Sequence, residues 1–166
     1  DRSSPVAQEQ KVRGVVCASA GNHAQGVASA CAKMKVRGTI FMPAVTPMQK
    51  VNKVRTFGKQ YVEVVLTGDN FDAAFAESMK LMEEKGLAYV HPFDDRDTIA
   101  GQGTVGLEIL DDSPGQIDYL MMAVGGGGLS AGVGSVFAQL SPKTKIFGVE
   151  PGGAPAMHDS IAKGEI

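Results

Sequence analysis

Short, nearly continuous apolar runs alternate with longer stretches in which apolar positions recur every three or four residues, almost from end to end of the chain. The runs at 14–18 (GVVCA), 39–42 (TIFM), 61–66 (YVEVVL), 89–90, 117–123 (IDYLMMA) and 145–149 (KIFGV) read as strands. Most are β-branched with little alternation, the pattern of strands covered on both faces. Between them, 22–35 places Ala24, Val27, Ala28, Cys31 and Met34 on one helical stripe. The stretch 70–85 does the same with Phe71, Ala74, Phe75, Ser78, Met79 and Met82, and Gly86 closes it. A helix over 47–57 has Pro47 at its start and Gly58 just past its end. Residues 98–110 form a weaker helix interrupted by Gly101, Gly103 and Gly106. Residues 129–140 repeat apolar positions at 129, 133, 136, 137 and 140, and a short helix follows PGGAP at 151–155. The order is β-α repeated to a sixth strand, which predicts an α/β fold of open parallel sheets with helices on both faces. The polar stretch 91–97 (HPFDDRD) is the expected boundary between two lobes, 1–93 and 94–166.

Composition narrows the function. With 16 Lys and Arg against 18 Asp and Glu, the net charge of −2 gives no electrostatic reason to expect nucleic acid or an anionic membrane as partner. No apolar run approaches membrane-spanning length, and DRSSPVAQEQ at the N-terminus lacks the basic head and apolar stretch of a signal peptide. Cys17 and Cys31 have no metal-ligand spacing and apolar neighbours, so both read as buried free thiols of a reducing compartment. Glycine supplies 21 of 166 residues, nearly twice the usual ~7%, and this excess directs attention to the turns.

Six of the ten residues from 125 to 134 are glycine, and Gly125, Gly126, Gly127 and Gly128 stand between a strand and a helix. Consecutive peptides without Cβ atoms can turn their N–H groups toward one point, and the following helix adds its own unpaired amides and the positive end of its dipole. This predicts a site for a phosphate dianion. A nucleoside triphosphate loop is excluded, because no lysine follows Gly128. A dinucleotide site is the rival: Gly126, Gly128 and Ala131 satisfy G-x-G-x-x-A, and Glu150 ends the next strand where a ribose-binding acid belongs. A second such turn, SAGNHAQG at 19–26, follows the first strand and brings Ser19, Gly21 and Asn22, all helix-start residues, to the strand's C-terminal edge, where open α/β sheets bind ligands. The two turns are expected to face each other across a cleft between lobes.

Taken in order, CASAGNHAQGVAS (17–29), GDNFDAA (68–74), HPFDDRDTIAGQGTVGLEI (91–109) and GGGGLSAG (125–132) resemble the threonine dehydratases, members of the fold type II (β-family) pyridoxal-phosphate enzymes. The resemblance spans roughly 11–150. It implies two lobes of the tryptophan synthase β-like fold, incomplete here at both ends, and pyridoxal 5'-phosphate as cofactor. Asn22 would hydrogen-bond the phenolic oxygen of the pyridoxal ring. Gly125, Gly126, Gly127, Gly128 and the Leu129 amide would hold the phosphate. Ser19, Ala20, Gly21 and His23 would receive the substrate carboxylate. The implied reaction is elimination, converting L-threonine or L-serine to a 2-oxo acid and ammonia with the cofactor as electron sink. The implied setting is cytoplasmic amino-acid metabolism such as isoleucine biosynthesis, in a homo-oligomeric parent enzyme.

The family's Schiff-base lysine, in a serine-phenylalanine-lysine-x-arginine-glycine-alanine motif, is expected upstream of Asp1. Lys11 in K-V-R-G is a partial copy with no Ser-Phe before it. The expectation is therefore an internal piece of a larger enzyme, catalytically incomplete, whose uncovered edges and apolar surface make it self-associate when alone. Serine dehydratase, serine racemase and sulfhydrylase activities stay open within the same fold. Glu150 and Ala154 fit the racemases' cation site, but Ala156 stands where an acid is required, so no metal is expected.

Overall fold

A computed structural model describes residues 13–165, and Lys11 lies outside the described residues. The chain divides into two compact units, 1–92 and 93–166. In the first, strands β1 (Val15–Ala18), β2 (Gly38–Met42), β3 (Val62–Leu66) and β4 (Ala88–Tyr89) form one parallel sheet in the order β3-β2-β1-β4. Helices α1 (Asn22–Met34), α2 (Met48–Gly58) and α3 (Phe71–Lys85) connect them. Alternate residues of the central strands serve opposite faces. Cys17, Ile40 and Met42 pack with Ala24, Val27, Ala28 and Cys31 of α1 and Val51 and Val54 of α2. Val16, Ala18 and Phe41 pack with Ala74 of α3. Helices thus cover both faces, which explains the unbroken apolarity of these strands.

In the second unit, β5 (Tyr119–Ala123) and β6 (Lys145–Val149) pair in parallel, joined by α5 (Gly128–Leu140), after α4 (Arg96–Asp112) and before α6 (Ala156–Lys163). Met122, Val133 and Phe137 form its buried core. Tyr119, Met121, Phe147 and Val149 lie on the opposite face of the two-stranded sheet and are exposed.

Two expected helix boundaries shift for physical reasons. Gly58 is the last residue of α2 at ordinary helical φ −76°, and the positive φ of 52° falls on Lys59. Gly58 is needed for proximity instead: a Cβ there would overlap the Val62 side chain. The glycines of 98–110 do not interrupt α4, which runs unbroken for 17 residues. They let it approach α5: Cβ atoms on Gly103 and Gly106 would stand 3.3 Å from the Gly132 carbonyl oxygen and 3.2 Å from the Val136 Cβ.

Candidate functional site

The strand order reverses at β1: the chain steps outward through β2 and β3, then returns to place β4 on the other side. Such a switch point leaves a crevice at the strands' C-terminal ends. The turn after β1 lies there. Ser19 continues the β1–β2 ladder, donating its N–H to the Phe41 carbonyl at 3.0 Å, and its hydroxyl accepts the Gly21 N–H at 3.2 Å. Gly21 caps α1 in an extended conformation without a side-chain cap bond, so Asn22 becomes the first helical residue and its exposed side chain is not spent on capping. The backbone amides of Asn22, His23 and Ala24 have no acceptor among the described residues, whereas that of Gln25 reaches the Gly21 carbonyl.

His23 is half-buried, and its Nε2 lies 3.0 Å from the carbonyl of Val90, just beyond β4. Donation to that carbonyl assigns the proton to Nε2 and leaves Nδ1 as acceptor in the neutral ring. Burial pushes the pKa below the ordinary 6.5, the Val90 carbonyl opposes this, and neighbouring His91 adds to it. His23 therefore ties the turn after β1 to the end of β4, across the switch point. The sequence pattern held no sign of Val90, whose part is played by a main-chain oxygen.

The second turn is built alike. Val124 donates to the Val149 carbonyl at 3.0 Å and ends the β5–β6 ladder. Gly127 then adopts φ 85°, left-handed backbone open to glycine, and caps α5, its carbonyl accepting from the Ala131 amide and the Ser130 hydroxyl. The amides of Gly125, Gly126, Gly127, Gly128 and Leu129 donate to nothing among the described residues. Five successive open donors at the positive end of a helix favour an anion. The turn lines a cavity of about 410 Å³ with Phe93, Asp94, Ile99, Ala131, Ala156, Met157 and Ser160. The glycine run alone does not reveal the packing return: a Cβ on Gly126 would enter the Phe93 ring, and one on Gly128 would stand 2.8 Å from the Phe93 Cα. Gly125 has open space where its side chain would be.

Glu150 is not available as a ribose-binding acid. Its two carboxylate oxygens accept the N–H groups of Met157 at 2.9 Å and His158 at 2.8 Å, at the start of α6. The dinucleotide alternative loses its acid. Cys17 and Cys31 are free and buried; burial, reinforced by Cys31, pushes the Cys17 thiol up to about 12. No helix among the described residues is long and apolar enough to cross a membrane.

Parallel strands that end in donor-rich turns, one of them at a topological switch point, make an α/β arrangement suited to small anionic ligands. The chain belongs to the pyridoxal-phosphate dependent enzyme family, whose model matches residues 3–166. It is 52% identical over 163 residues to the biosynthetic L-threonine dehydratase IlvA of Halalkalibacterium halodurans, covering 98% of this chain and 39% of that protein. Its Bacillus subtilis counterpart is 47% identical over 161 residues, covering 97% and 38%. Among solved structures, the processed form of threonine deaminase isoform 2 from Solanum lycopersicum superposes with TM-score 0.85 at 46% identity, over 95% of this chain and 45% of that one. Maize serine racemase gives TM-score 0.86 at 34% identity, over 96% and 47%. The chain thus spans about two fifths of the length of the curated relatives it matches.

Proposed function

We propose that these residues form part of a pyridoxal 5'-phosphate-dependent L-threonine dehydratase, which converts threonine to 2-oxobutanoate and ammonia. The observation that carries the proposal is the run of five unpaired amides, Gly125 to Leu129, at the N-terminus of α5, the four glycines of which line a cavity. That donor set fits a phosphate dianion, with the helix dipole adding to it and no side-chain cation required. The bound cofactor would supply an electron sink that makes the amino acid's α-proton removable and lets the β-hydroxyl leave.

The chain's own residues hold and orient. The amides of Gly125, Gly126, Gly127, Gly128 and Leu129 bind phosphate. The Asn22 side chain, left free by the Gly21 cap, takes the phenolic oxygen of the pyridine ring. Ser19, Ala20, Gly21 and His23 frame the substrate carboxylate with hydroxyl and N–H donors. A neutral His23, held by Val90, keeps this frame rigid without adding a charge. The lysine that carries the cofactor belongs to a segment outside these residues. That two relatives are named biosynthetic L-threonine dehydratases supports a role in isoleucine biosynthesis, and a cytoplasmic homo-oligomer is part of the same proposal.

The test is on the full-length protein. Borohydride reduction should fix the cofactor covalently, and threonine should yield 2-oxobutanoate faster than serine yields pyruvate. Absence of bound cofactor, or racemisation of serine as the main reaction, would refute this assignment.

A further inference from the structure

Glu150 follows β6 at the C-terminal edge of the sheet. Beyond it, 151–155 (PGGAP) turns with a backbone bond from the Ala154 N–H to the Pro151 carbonyl at 2.9 Å. Gly152 and Gly153 have nothing within 4 Å of where a side chain would begin, and α6 buries none of its residues. Packing therefore gives the start of α6 only partial hold, with Met157 half-buried and no residue fully so. The Glu150 carboxylate fixes it, through its bonds to the Met157 and His158 amides. A carboxylate bridging the first turn of a helix makes charge-assisted bonds at both oxygens and meets the positive end of the dipole.

This placement reaches the glycine turn. The Met157 Cε lies 2.9 Å from the point a Cβ on Gly127 would occupy. Ala156, Met157 and Ser160 line the same cavity as the glycines. The residue before Glu150 accepts the Val124 N–H, so the clamp is rooted at the base of that turn.

We propose that Glu150 is a positioning residue for the phosphate cradle: its carboxylate anchors the start of α6 so that Met157 forms the wall beside Gly127. This rests on the dehydratase assignment above. The two amides also offset the carboxylate's charge, so an acid is tolerated close to an anion site.

Amide hydrogen exchange and titrations with pyridoxal 5'-phosphate and with inorganic phosphate test it, on the full-length protein and its Glu150→Ala, Glu150→Gln and Met157→Ala variants. Glu150→Ala should accelerate exchange at Met157 and His158 and weaken both ligands about tenfold. Glu150→Gln, which keeps one acceptor, should fall between. Met157→Ala should weaken both ligands while exchange at His158 stays slow, and it stands in if Glu150→Ala does not fold. Faster exchange with unchanged affinity for both ligands would overturn the proposal, as would unchanged exchange in Glu150→Ala. If the unsubstituted protein takes up no cofactor, the dehydratase assignment itself falls, and this proposal with it.

Discussion

Replacing Gly126 with alanine separates the two roles that the glycine run combines. The new Cβ would enter the Phe93 ring, which is half-buried against the turn. Overpacking of this kind costs about 1–3 kcal/mol when the obstacle is the root of a rigid ring rather than the end of a flexible chain. Gly125→Ala meets nothing within 4 Å and its φ is not among the positive ones. It should be neutral or stabilise by up to about 1 kcal/mol, through reduced freedom of the unfolded chain. The discriminating assay is a double-mutant cycle with Phe93→Ala, read from urea unfolding of the cofactor-free protein, since a ligand bound only to the native state would mask the differences. Once Phe93 is truncated, Gly126→Ala should cost little more, giving a coupling of about 1–2 kcal/mol. Additivity to within about 0.5 kcal/mol would refute the packing account, as would a Gly125→Ala loss as large as that of Gly126→Ala.

Three more outcomes are expected. Because folding lowers the His23 pKa from 6.5, the unfolded chain binds more protons just below that pH. The His23 contribution to stability should be complete above pH 6.5 and decline as pH falls through the folded value, and His23→Gln should flatten that slope in pH-dependent unfolding. Lys59→Gly should stabilise by about 1 kcal/mol, measured by thermal denaturation, because Lys59 holds φ 52° and ψ −134° where a Cβ is unfavourable. Cys17, its thiol pushed up to about 12 and fully buried, should resist iodoacetamide at neutral pH and react at the rate of unfolding; rapid labelling of the native protein would contradict this.

The strands and helices were legible because their apolar spacing is local information. Boundaries moved by a few residues: Ile117 and Asp118 stay outside β5, their carbonyls taken by the Thr144 hydroxyl and the Lys145 amide. Asn22 and the glycine run were legible as turn chemistry. What stayed hidden depends on residues distant in the chain. The return on Gly126 is the ring of Phe93 and that on Gly128 its main chain, more than thirty positions earlier. His23 takes its orientation from a carbonyl 67 residues away, and no side-chain pattern encodes a carbonyl. Glu150 matched a ribose-binding template by position, yet its partners are main-chain amides that exist only once α6 has formed.

The two sheets also differ in how soon each becomes self-sufficient. Four strands covered on both faces can hold together as soon as residues up to Tyr89 are available. A two-stranded sheet is marginal in water, and here Tyr119, Met121, Phe147 and Val149 remain wetted on one side. During synthesis, the unit that ends near Tyr89 can therefore settle before the glycine turn, which waits for β6. The glycine turn is thus completed after the turn at Ser19–Asn22, because Val124 needs the Val149 carbonyl to end its ladder, whereas Ser19 needs only that of Phe41.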